Sequence, residues 1–300
     1  MGNVIDLPDI AIAISGFLRP KLLLDNLNNC RNLFPNSPIY VLIDRYDQDD
    51  ENLMKLNRDS MKIVQAYKDG VQLIFEPTEN LGIKCVANEL ISHCLNRHEY
   101  VIFLEDDLFL TDNCYEEIVL ACKLLDDNVR FAFATLYSLF SHNSSTEIWL
   151  STKWPRMWGV LLRRENFRNF LEFKNSIPSD RFQLLATCRN KLILSEFERV
   201  WRWKFTKARE SKHAFDTSLM EILWASPFRV LTPVNSLTTD RGGGLNSFSS
   251  RYGRRRRSHR IRRSNTNNVG YCETCEKIRF MEFSSRKLKS LSLLSKWSVV

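Results

Sequence analysis

Three consecutive carboxylates follow a short apolar segment about one third of the way along the chain. The stretch VIFLEDDLFL, residues 101–110, places Glu105, Asp106 and Asp107 between two runs of buried type. Adjacent acids repel one another, and burying them without a partner is costly. A hard divalent cation such as Mg²⁺ or Mn²⁺ removes both costs and keeps positions open for phosphate and water. The triplet therefore predicts a metal or active site; the alternative is a solvated loop ahead of a helix.

Strands and helices alternate along the first half of the chain, and this order determines where the acids would lie. Between the predicted strands, apolar residues recur at helical spacing, and we expect Asp112 to cap the helix that ends at Leu125. This order predicts an α/β fold with a mainly parallel sheet, flanked by helices on both faces. Short apolar runs predict strands at residues 10–17, 38–44, 71–77, 101–104 and 129–136.

Polar residues stand at or just after three of the predicted strand ends. Asp44 ends the second strand, Asn80–Gly82 follow the third, and the acid triplet follows the fourth. In parallel α/β sheets, ligands bind at the carboxyl ends of the strands. We therefore expect one cleft to hold all three groups.

The second half of the chain is less regular and is rich in Trp and Arg. We find no linker before about residue 250, and we predict a single domain over residues 1–250. It would consist of a sheet-forming half, residues 1–137, and a less regular half, residues 138–250, followed by a basic, partly disordered tail, residues 251–300. Its recognisable segments are WPRMWGVLLRRENF at 154–167, FERVWRWKF at 197–205, a predicted helix FDTSLMEILW at 215–224 and a predicted short strand FRVLTPV at 228–234.

The net charge of +8 belongs to one segment of the tail. Eight arginines and no acid lie between Arg251 and Arg263, and without them the rest of the chain would carry no net charge. Such a segment can bind anionic lipid head groups, bind nucleic acid or form a solvated tail. Tyr252 is its one aromatic residue, which disfavours single-strand nucleic-acid binding. We therefore expect no nucleic-acid partner.

The sequence shows neither a targeting signal nor a membrane span. No apolar run approaches the roughly 18 residues that a membrane helix needs. The N-terminus lacks the basic and apolar regions of a signal peptide, and Asp6 stands where a myristoylation motif requires Ser or Thr. Cys272 and Cys275 form a lone CxxC without the second pair of a zinc ribbon. With scattered cysteines that suit a reducing compartment, we expect a cytoplasmic protein.

Four segments, in order, resemble the nucleotide-sugar transferases of the GT-A fold. NLG, then an apolar strand and EDD, is similar to members with EDD in place of the DxD motif. These include the N-acetylglucosaminyltransferase I type and bacterial hemolytic-protein-like transferases. Residues 151–167 resemble their Tyr-Pro-x-x-Trp-Gly segment, residues 215–224 their Trp-Asp-x-x-Trp segment, and residues 233–247 their Pro-x-x-Asn-Leu loop. The resemblance covers about residues 10–250.

The resemblance implies a metal-dependent glycosyltransferase. It would move a sugar from a nucleoside diphosphate, with a UDP-sugar as the expected donor, to a hydroxyl of a glycan with inversion. Asp107 would hold Mn²⁺ or Mg²⁺, while Glu105 and Asp106 would contact the donor's sugar or ribose. Asp216 would be the base that accepts the proton of the acceptor hydroxyl.

The other residues implied by the resemblance line the donor pocket. Asp44 would face the nucleoside, and Trp158 and Gly159 would line the boundary between donor and acceptor. The residues implied to lie along the base, the phosphates and the donor sugar are Gly16, Arg19, Asn80, Gly82 and, as a weaker candidate, Lys84.

Two departures from the family pattern bear on this site. Phe215 stands where the relatives have Trp, which keeps an aromatic wall but loses an N–H donor. The relatives' glycine loop is followed by Thr-His, whereas RGGGLNSF has no His. Any metal or phosphate role of that His is therefore unfilled, or passes to Asp240 or Arg241. Gly242–Gly244 could bring backbone amides to a diphosphate or form a flexible turn.

Two other functions stay open. A sugar-phosphate nucleotidyltransferase shares this kind of sheet but carries a Gly-rich basic loop after its first strand, where SGFLRPK has one glycine. A nucleic-acid-binding protein would depend on Arg254–Arg257. A transferase acting on lipid-linked or envelope glycans would instead favour peripheral contact with an anionic membrane through Arg251–Arg263.

Overall fold

The structure is a computed structural model, and it describes residues 8–67, 70–138, 149–152, 156–176 and 215–241. The chain divides into two units, Met1–Gly244 and Leu245–Val300, and all described residues lie in the first. Glycines 242–244, the Arg251–Arg263 segment and the cysteines at 272 and 275 lie outside the described residues. The predictions about them, and the predicted domain boundaries, therefore stay predictions.

Strands and helices alternate through the first half of the chain, as predicted. The helices are α1 (Pro20–Leu33), α2 (Glu51–Ala66), α3 (Ile83–Leu95), α4 (Cys114–Asp127), α5 (Arg164–Ser176) and α6 (Phe215–Ala225). The strands are β1 (Ile10–Gly16), β2 (Ile39–Ile43), β3 (Val71–Leu73), β4 (Tyr100–Glu105), β5 (Leu108–Leu110), β6 (Phe131–Tyr137), β7 (Trp149–Thr152), β8 (Arg156–Arg163), β9 (Arg229–Pro233) and β10 (Thr238–Asp240).

One eight-stranded sheet has the order β3-β2-β1-β4-β8-β6-β9-β7. The first four strands of this order run parallel, and β6 runs parallel to β9. Strands β8 and β7 are antiparallel to their neighbours. A separate antiparallel ladder pairs β5 with β10. The predicted α/β fold with a mainly parallel sheet is confirmed.

Helices cover both faces of this sheet. Ile12 and Ile14 of β1 belong to a buried cluster with residues of α1, α2 and α4. Ala11 and Ala13 belong to the cluster on the other face, with residues of α3, α5 and α6. Successive side chains of a strand point to opposite faces, so a sheet covered on both sides requires apolar residues at every position of β1. Within the described ranges no helix is both long and apolar enough to cross a membrane.

Two local predictions differ from the structure, and one short strand was not predicted. Strand β3 ends at Leu73, because it pairs only with β2 and only over three residues; the Phe75 side chain that follows is exposed. Asp112 does not cap α4, which begins at Cys114 with Asn113 as its N-cap and no side-chain capping bond. The run after the acids, Leu108–Leu110, is a strand of its own because β10 pairs with it.

Candidate active site

Strands β1 and β4 are parallel neighbours, and the strands that follow them along the chain are added on opposite sides of this pair. From β1 the chain passes to β2 on one side, and from β4 it passes through α4 to β6 on the other. In open α/β sheets the crevice at such a switch point, beyond the carboxyl ends of the strands, is the usual ligand site. The loop Phe17–Arg19 and the turn Glu105–Asp107 border this crevice, and we call the latter the acid turn.

Arg19, the N-cap residue of α1, joins these two loops. Its Nη1 donates to Oδ2 of Asp107, and its Nη2 pairs with Oδ1 of Asp106. The backbone N–H of Phe17 donates to Oδ2 of Asp106 at 3.2 Å. Because Asp106 is only 1% exposed, the ends of β1 and β4 are held together by a buried charge pair.

Two asparagines of α1 form hydrogen bonds with the backbone of the acid turn and of the strand that follows it. Nδ2 of Asn26 donates to the carbonyl oxygen of Glu105 at 3.0 Å. Asn29 exchanges two hydrogen bonds with the backbone of Leu110, as donor at 3.1 Å and acceptor at 3.0 Å. Residues three apart lie on the same face of a helix, so one face of α1 positions both the last residue of β4 and the strand beyond the turn.

Asp44 follows β2 and is engaged by the loop before α3. Its Oδ1 accepts from the backbone N–H groups of Arg45 at 2.9 Å and Leu81 at 2.8 Å. Its Oδ2 accepts from the N–H of Gly82 at 2.9 Å and from Nδ2 of Asn80 at 3.2 Å. Both oxygens of this carboxylate thus accept hydrogen bonds from the chain. Asp44 thus brings the predicted NLG loop to the sheet edge, while its own contact with a nucleoside stays a prediction.

Asn57 of α2 is a site residue that the sequence reasoning missed. Its Nδ2 donates to the carbonyl oxygens of Phe17 at 3.1 Å and Asp44 at 2.8 Å, and its Oδ1 accepts from the N–H of Tyr46 at 3.2 Å. The loops after β1 and β2 are therefore tied to one side chain. Asn57 lies four residues after the buried Leu53, so a polar residue on the helical stripe that faces the sheet was the available signal.

Burial and mutual repulsion raise the pKa values of the acid turn. Burial, with the charges of Asp107 and Asp106, raises the pKa of Glu105 to about 8. Burial also raises the pKa of Asp106 to about 6, although Arg19 opposes the shift. The pKa of Asp107 is raised by burial and, to a lesser degree, by Asp240. The turn thus carries more negative charge than Arg19 offsets.

Asp216 lies in the first turn of α6 and is exposed. The adjacent Phe215 packs against Phe103 of β4, with ring centroids 5.5 Å apart. Phe103 and Glu105 are two residues apart on one strand and so share a face of the sheet. Asp216 is accordingly close enough for its charge to contribute to the raised pKa of Glu105. The tertiary structure thus places the predicted base on the same face of the sheet as Glu105.

Trp158 and Gly159 lie on β8, one strand beyond β4. The carbonyl oxygen of Trp158 accepts from Oγ1 of Thr238 at 2.9 Å, and its ring lies edge-on to Tyr137 with a centroid distance of 4.7 Å. Gly159 has φ of +80°, and a Cβ there would lie 3.0 Å from Cγ2 of Thr238 and 3.2 Å from Cδ2 of Leu104. Conformation and close packing therefore both require glycine beside the acid turn.

The other two predicted glycines have different structural reasons. A Cβ at Gly16 would lie 2.6 Å from Cδ1 of Ile43, so β1 and β2 end against each other only without that side chain. Gly82 takes φ of +76° as the N-cap residue of α3, and Lys84 lies in the first turn of that helix. Both glycines shape the edge of the crevice.

Asp240 and Arg241, the two residues left open for the role of the absent His, lie beside the acid turn. Asp240 pairs with Leu108 in the β5–β10 ladder. The backbone N–H of Arg241 donates to the carbonyl oxygen of Asp107 at 2.9 Å. The Arg241 guanidinium lies over the ring of Phe109, 4.2 Å from its centroid.

A divalent ion fits the chemistry of this site, although the protein offers few ligands. Carboxylate oxygens are those that Mg²⁺ and Mn²⁺ prefer, and Asp107 and Asp240 supply them. Among the described residues no group of three or more His, Cys, Asp and Glu side chains could hold a metal ion. Arg19 also occupies one oxygen of Asp107. The site suits an ion that takes one or two carboxylates and completes its shell with phosphate and water.

The sequence matches no protein-family model and no curated protein. A mannosyltransferase from Pyrobaculum calidifontis in complex with GDP-Man and Mn²⁺ is similar in structure, with 14% identity over 73% of this chain and 68% of that chain and a TM-score of 0.35. The galactosyltransferase LgtC with donor and acceptor sugar analogs has 10% identity over 56% and 66%, with a TM-score of 0.33. Mannose-1-phosphate geranyltransferase from Thermus thermophilus has 15% identity over 77% and 75%, with a TM-score of 0.35. At these values the likenesses decide neither the family nor the activity of this chain.

Proposed function

We propose that the protein is a GT-A-type glycosyltransferase that transfers a sugar from a nucleoside diphosphate, with a UDP-sugar as the expected donor, to a glycan hydroxyl. The observation that carries this proposal is the switch point at the ends of β1 and β4, where Arg19 pairs with Asp106 and Asp107 of the acid turn. A nucleotide-sugar is large and carries two phosphates, and a switch point in an α/β sheet is where such ligands bind. The crevice therefore supports donor binding and transfer in one place.

In the proposed reaction, Asp216 is the general base of an inverting displacement. Its carboxylate accepts the proton of the acceptor hydroxyl as the hydroxyl oxygen forms a bond to the anomeric carbon. The bond from that carbon to the diphosphate breaks on the opposite side, and the diphosphate leaves with the electron pair. Asp216 is exposed and lies on the side of the acid turn that α6 covers, which suits a base that meets an incoming acceptor.

Glu105 and Asp106 have different environments, so we assign them different roles at the donor. Glu105 ends β4 on the face of the sheet that α6 covers, and we propose that its carboxyl group hydrogen-bonds to a sugar or ribose oxygen of the donor. Asp106 is buried between Arg19 and the Phe17 N–H, and it sets the separation of the two loops. We therefore propose that Asp106 acts on the donor indirectly, by holding Arg19 and the loop at Phe17 in place.

We further propose that Asp107, with Asp240, holds Mn²⁺ or Mg²⁺. When bound, such an ion would supply positive charge to the departing diphosphate. The charge balance supports this assignment, because the acid turn and Asp240 outnumber the two arginines beside them, Arg19 and Arg241. Without a further cation, an anionic donor would enter a site of its own sign.

The deciding experiment is a panel of nucleotide sugars titrated calorimetrically against the protein, with Mn²⁺ or with a chelator, and assayed for slow donor hydrolysis. We expect one donor to bind only with the ion, and Asp107→Ala to lose that dependence. Asp112→Ala, which removes a carboxylate beyond the turn, is the matched control and should bind as the parent does. Binding of no donor with either ion would refute the transferase proposal, whereas normal binding by Asp107→Ala would refute the metal assignment.

A further inference from the structure

Arg241 presents a guanidinium beside the acid turn in a fixed position. Its backbone is tied to the turn by the hydrogen bond from its N–H to the Asp107 carbonyl oxygen, 2.9 Å long. Its side chain is laid over Phe109, whose ring centroid lies 4.2 Å from the guanidinium carbon. Phe109 is the middle residue of β5 and is 2% exposed, so the stacking surface is itself rigidly packed. The ring attracts the guanidinium through its quadrupole but carries no net charge that would neutralise it.

The two arginines of the crevice differ in what their charges do. Arg19 pairs with both Asp106 and Asp107 of the acid turn. The positive charge of Arg19 is therefore neutralised by acids of the protein itself. Arg241 forms no salt bridge with any acid in the described ranges, and its side chain is exposed. Its hydrogen-bond donors remain available to a ligand.

We propose that Arg241 binds the diphosphate of the donor, and that Arg19 serves instead as the internal counter-ion of the acid turn. The proposal rests on the proposed function. It chooses Arg241 for the phosphate role that the sequence left open between Asp240 and Arg241, and it moves Arg19 out of the phosphate pocket that the resemblance implies. A guanidinium matches phosphate oxygens with a planar pair of N–H donors, which a lysine ammonium cannot do. The stacked geometry over Phe109 holds that plane in place before the ligand arrives, which reduces the entropy cost of binding.

The test titrates the parent and Arg241→Gln calorimetrically with uridine, UMP, UDP and inorganic pyrophosphate, always with Mn²⁺ or Mg²⁺ present because donor binding is expected to need the ion. We expect UDP and pyrophosphate affinity to fall about 10- to 100-fold, in line with the loss of a charge-assisted hydrogen bond. Uridine affinity should stay unchanged, and Arg241→Lys should recover only part of the loss. Because Arg241 is exposed, the variant is expected to unfold at the same denaturant concentration as the parent.

Arg130→Gln is the matched control, since it removes the same charge from an exposed arginine just before β6. Strands β4 and β6 both run antiparallel to β8, so Arg130 lies at the edge of the sheet opposite to the acid turn. It should bind all four probes as the parent does. A loss of UDP affinity in this control equal to that in Arg241→Gln would mean that net charge alone is responsible, and the proposal would be wrong.

The probes also separate this inference from the proposed function. If UDP binds the parent and Arg241→Gln equally well, the inference is wrong and donor binding stands. If pyrophosphate binding depends on Arg241 but no nucleotide or nucleotide sugar binds, the anion site stands and the transferase proposal is wrong. If the parent binds neither nucleotides nor pyrophosphate, both are wrong.

Discussion

Arg19, Asp106 and Asp107 act as one electrostatic unit at the scale of single residues. Asp106 is buried at the centre of this unit, and the charged form of a buried carboxyl is stable only next to a cation. Arg19 supplies that cation from the first residue before α1, on the other side of the strand pair β1–β4. The two loops that border the crevice therefore depend on each other for their structure.

This dependence predicts a pH-dependent loss of stability in Arg19→Gln. The Asp106 pKa of about 6 would rise further without Arg19, so ionisation of Asp106 would oppose folding over a wider pH range. We expect a loss of about 3 kcal/mol at pH 8, where the parent's Asp106 is charged. At pH 5 Asp106 is protonated in both proteins, and the loss should be much smaller. Urea unfolding with a chelator present measures both values.

Arg45→Gln is the control for that experiment, because Arg45 is an exposed arginine next to the crevice-lining Asp44. It should change stability little at either pH. An equal loss at pH 5 and pH 8 in Arg19→Gln would show that the charge of Asp106 is not what Arg19 stabilises.

Asp216 also has a proposed role as a single residue, and a substitution there should affect sugar transfer without affecting donor binding. Asp216→Asn keeps the size and polarity of the side chain but cannot accept a proton. We expect the donor dissociation constant to stay the same and turnover to fall about 10²- to 10⁴-fold. Asp127→Asn, at the exposed end of α4, is the control that should keep full turnover. A fully active Asp216→Asn would remove Asp216 as the base.

At the scale of whole elements, α1 and α2 place the loops of the crevice through asparagines on their sheet-facing sides. Asn26 and Asn29 of α1 hold the acid turn and β5, and Asn57 of α2 holds the loops after β1 and β2. An asparagine amide both donates and accepts, so it can satisfy backbone groups that a strand leaves unpaired at its end. The helices thus position loops as well as cover the sheet.

Asn57→Ala is expected to loosen the loops after β1 and β2 together. Removing the amide leaves the carbonyl oxygens of Phe17 and Asp44 without this donor, at a cost of about 1–3 kcal/mol. Donor affinity should fall as well, since both loops border the proposed site. Asn52→Ala tests the same change at an exposed position of the same helix and should be close to neutral. Unfolding and donor titration that show no difference between the two variants would contradict the positioning role of Asn57.

At the scale of the whole molecule, the described fold and the basic tail carry separate predicted activities. Within the part of the chain that the structure describes, the residues assigned to the crevice all precede residue 242, and the arginine-rich segment begins at Arg251. Each basic residue near an anionic bilayer contributes about 1 kcal/mol to membrane binding. We expect Arg251–Arg263 to add contact with an anionic membrane.

Deleting residues 251–300 tests this separation. We expect donor binding to persist and binding to phosphatidylserine-containing vesicles to be lost, with phosphatidylcholine vesicles as the uncharged comparison. Replacing Arg254–Arg257 by glutamine in the full chain should give an intermediate loss of vesicle binding. Oligonucleotide binding by the full chain that exceeds vesicle binding would favour a nucleic-acid partner instead, and loss of donor binding on deletion would place the tail at the site.

Local patterns in the sequence were sufficient to predict most of the sheet and one cluster of polar loops. The apolar runs that became β1, β2 and β4 are buried on both faces, and short apolar runs are what such strands require. Because parallel strands end at the same edge of a sheet, Asp44 and the Asn80–Gly82 loop could be expected to meet there, and hydrogen bonds of 3.2 Å or less to Asp44 join them.

Only the tertiary structure decided which residues face one another within that edge. Arg19 meets acids 87 and 88 positions further along the chain, as the residue numbers show, because β1 and β4 are neighbours in the sheet. Arg241 reaches the Asp107 carbonyl because β10 pairs with β5, which the apolar pattern of Leu108–Leu110 alone does not indicate. Periodicity records whether a residue is buried, but the order and pairing of strands depend on packing of the whole chain. That is why the acid turn could be predicted, whereas its partners could not.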